Sequence, residues 1–146
     1  MLKGIDPLLC GELLKILDEM GHGDELLLVD RNYPAKASGK PVISLGEVSS
    51  ERAMKAILSV FPLDTYVERP LGRMEIKDDP HIKTETTETQ DRVLKLAAEA
   101  EGRSIHYDVI PRFEFYERAK KVYAVVSTLE ATPYSCFLMK KGVIND

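Results

Sequence analysis

Apolar residues at Leu9, Leu13, Leu14, Leu17 and Met20 recur at three- and four-residue spacing. That spacing lines one face of a helix. Asp6-Pro7 supplies a helix start, and Gly11 leaves room for a break before Glu12. Gly21 is placed to end the helix in a left-handed conformation. Leu26-Leu27-Leu28-Val29 follows as a continuous apolar run, the pattern of a strand buried on both faces.

The alternation then repeats. Val42-Ile43 predicts a strand, and Ser49 or Ser50 caps a helix carrying Ala53, Met54, Ile57 and Leu58 that stops before Pro62. A short strand is expected over 73–76. Residues 87–101 read as a helix with Val93, Leu96, Ala97 and Ala100 inward and Gly102 at its end. Strands are expected at 107–110, stopped by Pro111, at the β-branched stretch 122–128, and at 137–140. A short helix is expected at 114–121. Stretches 32–41, 68–72 and 77–80 are rich in turn formers and read as surface loops. No internal repeat and no long linker divides the chain. Helices alternating with short strands predict one α/β domain with a mostly parallel or mixed sheet flanked by helices.

Composition fits that picture. The chain has 146 residues, 44% apolar and 30% charged, an ordinary balance for one globular domain. A net charge of −4 argues against a nucleic-acid partner, and Lys120-Lys121 and Lys140-Lys141 read as solvated pairs. No apolar run approaches the ~20 residues of a membrane span. The N-terminus has no signal-peptide pattern, so a cytoplasmic protein is expected. Cys10 and Cys136 are expected as buried free thiols. No Cys-x-x-Cys or His-x-x-x-His spacing occurs, and His22, His81 and His106 are dispersed, so no metal is expected.

Four features carry candidate chemistry. His22 lies between Gly21 and Gly23, and imidazole exchanges protons near neutral pH. A turn histidine at a helix end is the structural alternative. Asp30 follows the apolar strand and can accept hydrogen bonds from hydroxyls or orient an imidazole; it can equally just start a turn. Arg112 sits at an element boundary in Arg112-Phe113-Glu114-Phe115-Tyr116-Glu117-Arg118 and can stabilise negative charge. There the aromatic residues read as core, and Glu114 and Arg118 as a helical pair. Tyr134, Ser135 and Cys136 offer a ring, a hydroxyl, small polar groups and backbone donors, or simply a turn into the last strand. No dinucleotide, phosphate-loop or nucleophile-elbow motif is present. The residues suit proton transfer on a polar, uncharged substrate.

Leu-Leu-Lys-Ile-Leu-Asp-Glu-Met-Gly-His-Gly-Asp-Glu at 13–25, Asp30 with Asn32-Tyr33-Pro34, Arg112-Phe-Glu-Phe-Tyr-Glu-Arg-Ala119, and Tyr134 with Leu138-Met-Lys-Lys-Gly-Val143 together resemble the RbsD/FucU family, its fucose branch in particular. The resemblance implies a sugar mutarotase that interconverts anomers of L-fucose or a related monosaccharide. It implies that His22 transfers protons, that Asp30, Arg112, Tyr134, Ser135 and Cys136 bind sugar, and that no cofactor is needed. It also implies a ring of subunits, commonly a decamer, with each site completed by a neighbouring chain. The family usually carries Asn where this chain has Cys136, and a thiol is the weaker hydrogen-bonding group. Pyranose–furanose interconversion of ribose, or non-catalytic sugar binding, are the alternative functions.

Geometry constrains this reading. Eight residues separate His22 from Asp30, ~26–29 Å if fully extended. The two can share a site only if 21–24 folds back or if different subunits supply them.

Overall fold

Leu26, Leu27, Leu28 and Val29 are completely buried in the computed structural model, which describes residues 1–146 except Asp78, Pro80 and Lys83. They form β1 (Glu25–Val29). The chain runs α1 (Gly11–Glu19), β1, β2 (Val42–Ser44), α2 (Ser50–Leu58), β3 (Leu71–Met74), α3 (Glu88–Glu101), β4 (Tyr107–Ile110), α4 (Arg112–Ala119), β5 (Ala124–Ser127) and β6 (Phe137–Lys140). The six strands make one sheet in the order β2-β5-β1-β6-β3-β4. β6 alone runs antiparallel to its neighbours, β1 and β3. The C-terminal ends of the other five strands therefore share one edge with the start of β6.

Each face of the sheet has its own core. Leu26, Leu28, Val126, Phe137 and Met139 pack with α1, α2 and α3. Leu27, Val29, Val125, Leu138 and Ile110 pack with Phe115 and Ala119 of α4 and with Ala35. The four consecutive apolar residues Leu26 to Val29 are what such a sandwich requires.

Local sequence accounts for several helix ends. Ser49 accepts the Arg52 N–H to cap α2. Thr87 and Gln90 form a capping box at α3, and Gly102 closes that helix at φ +66°.

Other expectations need correction. Gly21 is not left-handed; α1 ends because Met20 is extended. The positive φ falls instead on Gly23, at +88°. Lys141 is not simply solvated, since its ammonium caps the carbonyls of Leu17, Asp18 and Met20. β3 begins two residues before the expected 73–76, inside the 68–72 stretch read as loop. α4 starts two residues early because Pro111, at ψ 144°, sits at its N-cap. β5 is shorter than 122–128, although Val122 and Thr128 are buried at its flanks. A single 3-10 turn, Lys36–Ser38, interrupts the 32–41 loop. The 77–80 loop includes Asp78 and Pro80, outside the described residues. Cys10 is exposed and Cys136 buried, both free. Phe113 is 81% exposed rather than core. Arg118 pairs with Asp108 and Glu25, not Glu114. On α3, Val93 and Ala97 face inward with Leu94 and Ala98 beside them, while Ala100 is exposed. No helix among the described residues is long and apolar enough to cross a membrane.

Two backbone segments pass closely at Gly142. Its N–H donates to the Pro62 carbonyl, and a Cβ there would lie 2.7 Å from the Leu63 oxygen. Gly142→Ala should therefore push 62–64 away from 140–142, at a cost of about 1–3 kcal/mol in urea unfolding.

Candidate active site

The shared strand edge holds an open cleft of about 250 Å³ lined by Asp30, Asn32, Tyr33, Met74, Asp79, Arg112, Tyr116, Pro133, Tyr134 and Cys136. Crevices outside the carboxyl ends of parallel strands are the usual ligand position in open α/β sheets. Asp30, the first residue after β1, is 7% exposed. One of its oxygens accepts the Asn32 N–H at 3.0 Å. The other accepts the Ser135 N–H at 3.3 Å and faces the Cys136 thiol at 3.7 Å. Burial pushes the Asp30 carboxyl above its ordinary range, against the pull of those hydrogen bonds. Three donors converge on two oxygens, leaving lone pairs free for a further donor from the cleft.

The loop before β6 is held from several sides. Tyr134 takes φ +60°, a left-handed conformation rare for a residue with a side chain. The Gln90 amide donates to the Tyr134 carbonyl at 3.0 Å. Gln90 is completely buried, and its amide oxygen also accepts the Thr87 N–H in the α3 capping box. Thr89 and Thr132 join the same two segments, hydroxyl to hydroxyl, at 3.1 Å. The Tyr134 ring is thereby placed against the cleft by the first turn of α3.

Arg112 opens α4 beside the cleft. Its guanidinium lies 6.0 Å from the ring centres of Phe113 and Tyr116, and no protein acceptor is bonded to it among the described residues. Tyr33 stacks on Tyr116 with centroids 5.9 Å apart, and burial pushes its hydroxyl pKa up to about 12. Cys136 is 3% exposed; burial, then the charge of Asp30, raises its thiol far above the usual range, so it stays neutral. The cleft thus offers a carboxylate, a guanidinium, phenols and flat ring faces, a set suited to a hydroxyl-rich neutral ligand.

Asp30, Arg112, Tyr134 and Cys136 line this one cleft. Ser135 does not line the cleft; it is completely buried, and its N–H braces Asp30. His22 is elsewhere. It occupies the turn before β1, at the opposite edge of the sheet, where Gly23 N–H is tied to the Lys141 carbonyl. The 21–24 turn does not fold back toward Asp30. The His22 Nε2 instead lies 3.0 Å from the Asp64 carboxylate, and its ring lies 5.0 Å from that of Tyr66. Sequence reading missed Asp64, Tyr66 and Gln90, and it named Tyr33 only within the Asn32-Tyr33-Pro34 motif. Only Gln90 carried a local signal, the Thr87-x-x-Gln90 spacing of a capping box.

A family model, described as the RbsD / FucU transport protein family, matches residues 3–144. The chain belongs to the RbsD/FucU family. An L-fucose mutarotase of Glaesserella parasuis serovar 5 (strain SH0165) is 41% identical over 143 residues, 98% of this chain and 96% of that protein. The structure of FucU from Bifidobacterium longum superposes with a TM-score of 0.89 at 37% identity, covering 98% of this chain and 100% of that one. The fucose mutarotase of Streptococcus pneumoniae in complex with L-fucose gives a TM-score of 0.85 at 34% identity, covering 99% of this chain and all of that one. Membership in the RbsD/FucU family thus rests on nearly the whole chain and on the fold together.

Gln90 is the buried link between α3 and the Tyr134 loop. Gln90→Leu, similar in volume but without the amide, should cost about 1–3 kcal/mol in chemical denaturation. The same change should broaden the backbone amide resonances of Thr132, Tyr134, Ser135 and Cys136.

Proposed function

We propose that the protein is a mutarotase interconverting the α and β anomers of L-fucose or a closely related monosaccharide. One observation carries the reading. The cleft gathers groups for holding a neutral sugar yet has no histidine among the described residues that line it, while His22 stands half exposed at the opposite sheet edge. A site built from the cleft of one subunit and His22 of a neighbour unites the two, and a closed ring of subunits, such as a decamer, repeats that junction. Curated relatives named L-fucose mutarotase at 41% identity support the choice of reaction. One free thiol exposed at Cys10 fits a reducing compartment such as the cytoplasm.

Mutarotation opens the ring and recloses it on the other face of the aldehyde. A base takes the proton of the anomeric hydroxyl, the bond from C1 to the ring oxygen breaks, and an acid protonates that oxygen. Rotation about the C1–C2 bond and the reverse transfers give the other anomer. His22 carries the proton. Arg112 stabilises negative charge developing on an oxygen. Asp30 and Tyr134 hold hydroxyls and fix the pose. The neutral Cys136 thiol narrows the cleft beside Asp30 and donates only weakly.

Anomer exchange by NMR saturation transfer tests this with L-fucose, D-ribose, D-galactose and L-rhamnose. L-Fucose should exchange faster with enzyme than without; acceleration of none of the four contradicts the reading. Arg112→Ala should lower kcat/KM by about 1.5–3 kcal/mol of transition-state binding. The raised pKa of Asp30 has a signed consequence. Protonation of Asp30 begins at higher pH than for an ordinary aspartate, so activity should fall on the acid side earlier than a carboxylate near ~3.9 would allow. For stability the sign is opposite: this group favours the fold at low pH, and its contribution is lost as pH rises through the raised value. Light scattering should find an assembly larger than a monomer, and a clean monomer contradicts the shared site.

A further inference from the structure

His22, Asp64 and Tyr66 form a cluster at the N-terminal edge of β1, away from the cleft. Asp64 is 2% exposed and fixed through both its backbone and its side chain. Its N–H donates to the Lys140 carbonyl at 3.0 Å, and its carbonyl accepts from the Arg103 guanidinium at 3.0 Å. Its Oδ1 accepts the Tyr66 N–H at 3.1 Å and meets His22 Nε2 at 3.0 Å. Burial raises the Asp64 carboxyl, but the bonds from Tyr66 and His22 and the charges of His22 and Lys140 outweigh it and hold it below the ordinary range. An ionised carboxylate can only accept. His22 Nε2 must therefore carry the hydrogen it shares with Asp64.

That fixes the other nitrogen. When the ring is neutral, its lone pair lies on Nδ1. Nδ1 has no protein partner among the described residues, and the side chain is 43% exposed. The Tyr66 ring, tilted 53° to the imidazole and itself 72% exposed, forms a wall beside it. A carboxylate that orients an imidazole and selects its tautomer without touching substrate is known from the catalytic triad of serine proteases.

We propose that Asp64 is the positioning residue of the proton carrier: it holds His22 as the Nε2–H tautomer, so that Nδ1 exchanges the proton with the sugar. The inference rests on His22 being that carrier. It adds which nitrogen reacts and which buried residue selects it.

The test reads the tautomer directly. Nitrogen-15 spectra of the whole assembly at alkaline pH, with the His22 signal assigned by its loss in His22→Ala, should show protonated Nε2 and unprotonated Nδ1. An Nδ1–H form or an even mixture in the wild type overturns the proposal, and this reading needs no sugar and no Asp64 variant. Asp64→Ala should let the two tautomers mix and lower kcat by about 10- to 100-fold with KM little changed. Asp64→Asn keeps an oxygen facing Tyr66 N–H and His22. It should preserve the tautomer and more of the activity than Asp64→Ala. Equal loss in both variants with the wild-type tautomer retained in both also overturns the proposal. If wild type turns over no sugar while the Nε2–H form is present, the reaction assignment fails and the tautomer assignment stands.

Discussion

A strand whose last four side chains are shut off from solvent cannot bend back on itself. β1 holds Leu26, Leu27, Leu28 and Val29 between two cores at zero exposure, paired with β5 on one side and β6 on the other. Its length, about 17 Å at ~3.3 Å per residue, separates what lies before it from what lies after it. His22 sits at one end and Asp30 at the other. Packing therefore keeps His22 and the cleft on opposite edges of one sheet, and in the proposed site a subunit junction unites them.

Each half-site is braced from beneath. Asp30 is a buried acceptor whose bonds to Asn32, Ser135 and Cys136 set the position of the last loop. Gln90 completes that arrangement by tying the strained Tyr134 to the start of α3. Asp64 does the same for His22, and the close passage of Gly142 over Leu63 keeps Asp64 in place. In both halves the buried carboxylate orders its surroundings, while the groups that meet solvent are His22, Arg112 and the tyrosines.

Much of this was legible along the chain. The apolar run of β1, the Ser49 cap and Gly102 are local signals, and the elements followed them. Asp30, Arg112 and Tyr134 were visible as polar residues at element ends. What escaped depends on partners distant in sequence. Asp64 meets His22 across 42 positions. Lys141 caps α1 from more than 120 positions away. β3 was displaced because Pro70 and Gly72 mimic a loop, whereas pairing with β4 and β6 makes Leu71 and Gly72 strand. Of the two routes open to His22, folding back is excluded by the 21–24 turn, which is held at its own edge; crossing to another subunit is the proposed one.

The shared site is the central claim, and subunit complementation tests it most directly. His22→Ala and Asp30→Ala chains are each inactivated, then co-assembled, with mass spectrometry confirming mixed assemblies. Random mixing should restore about a quarter of wild-type anomer exchange, the fraction of junctions that pair an intact His22 with an intact cleft. Mixed assemblies as inactive as the single variants would contradict the account.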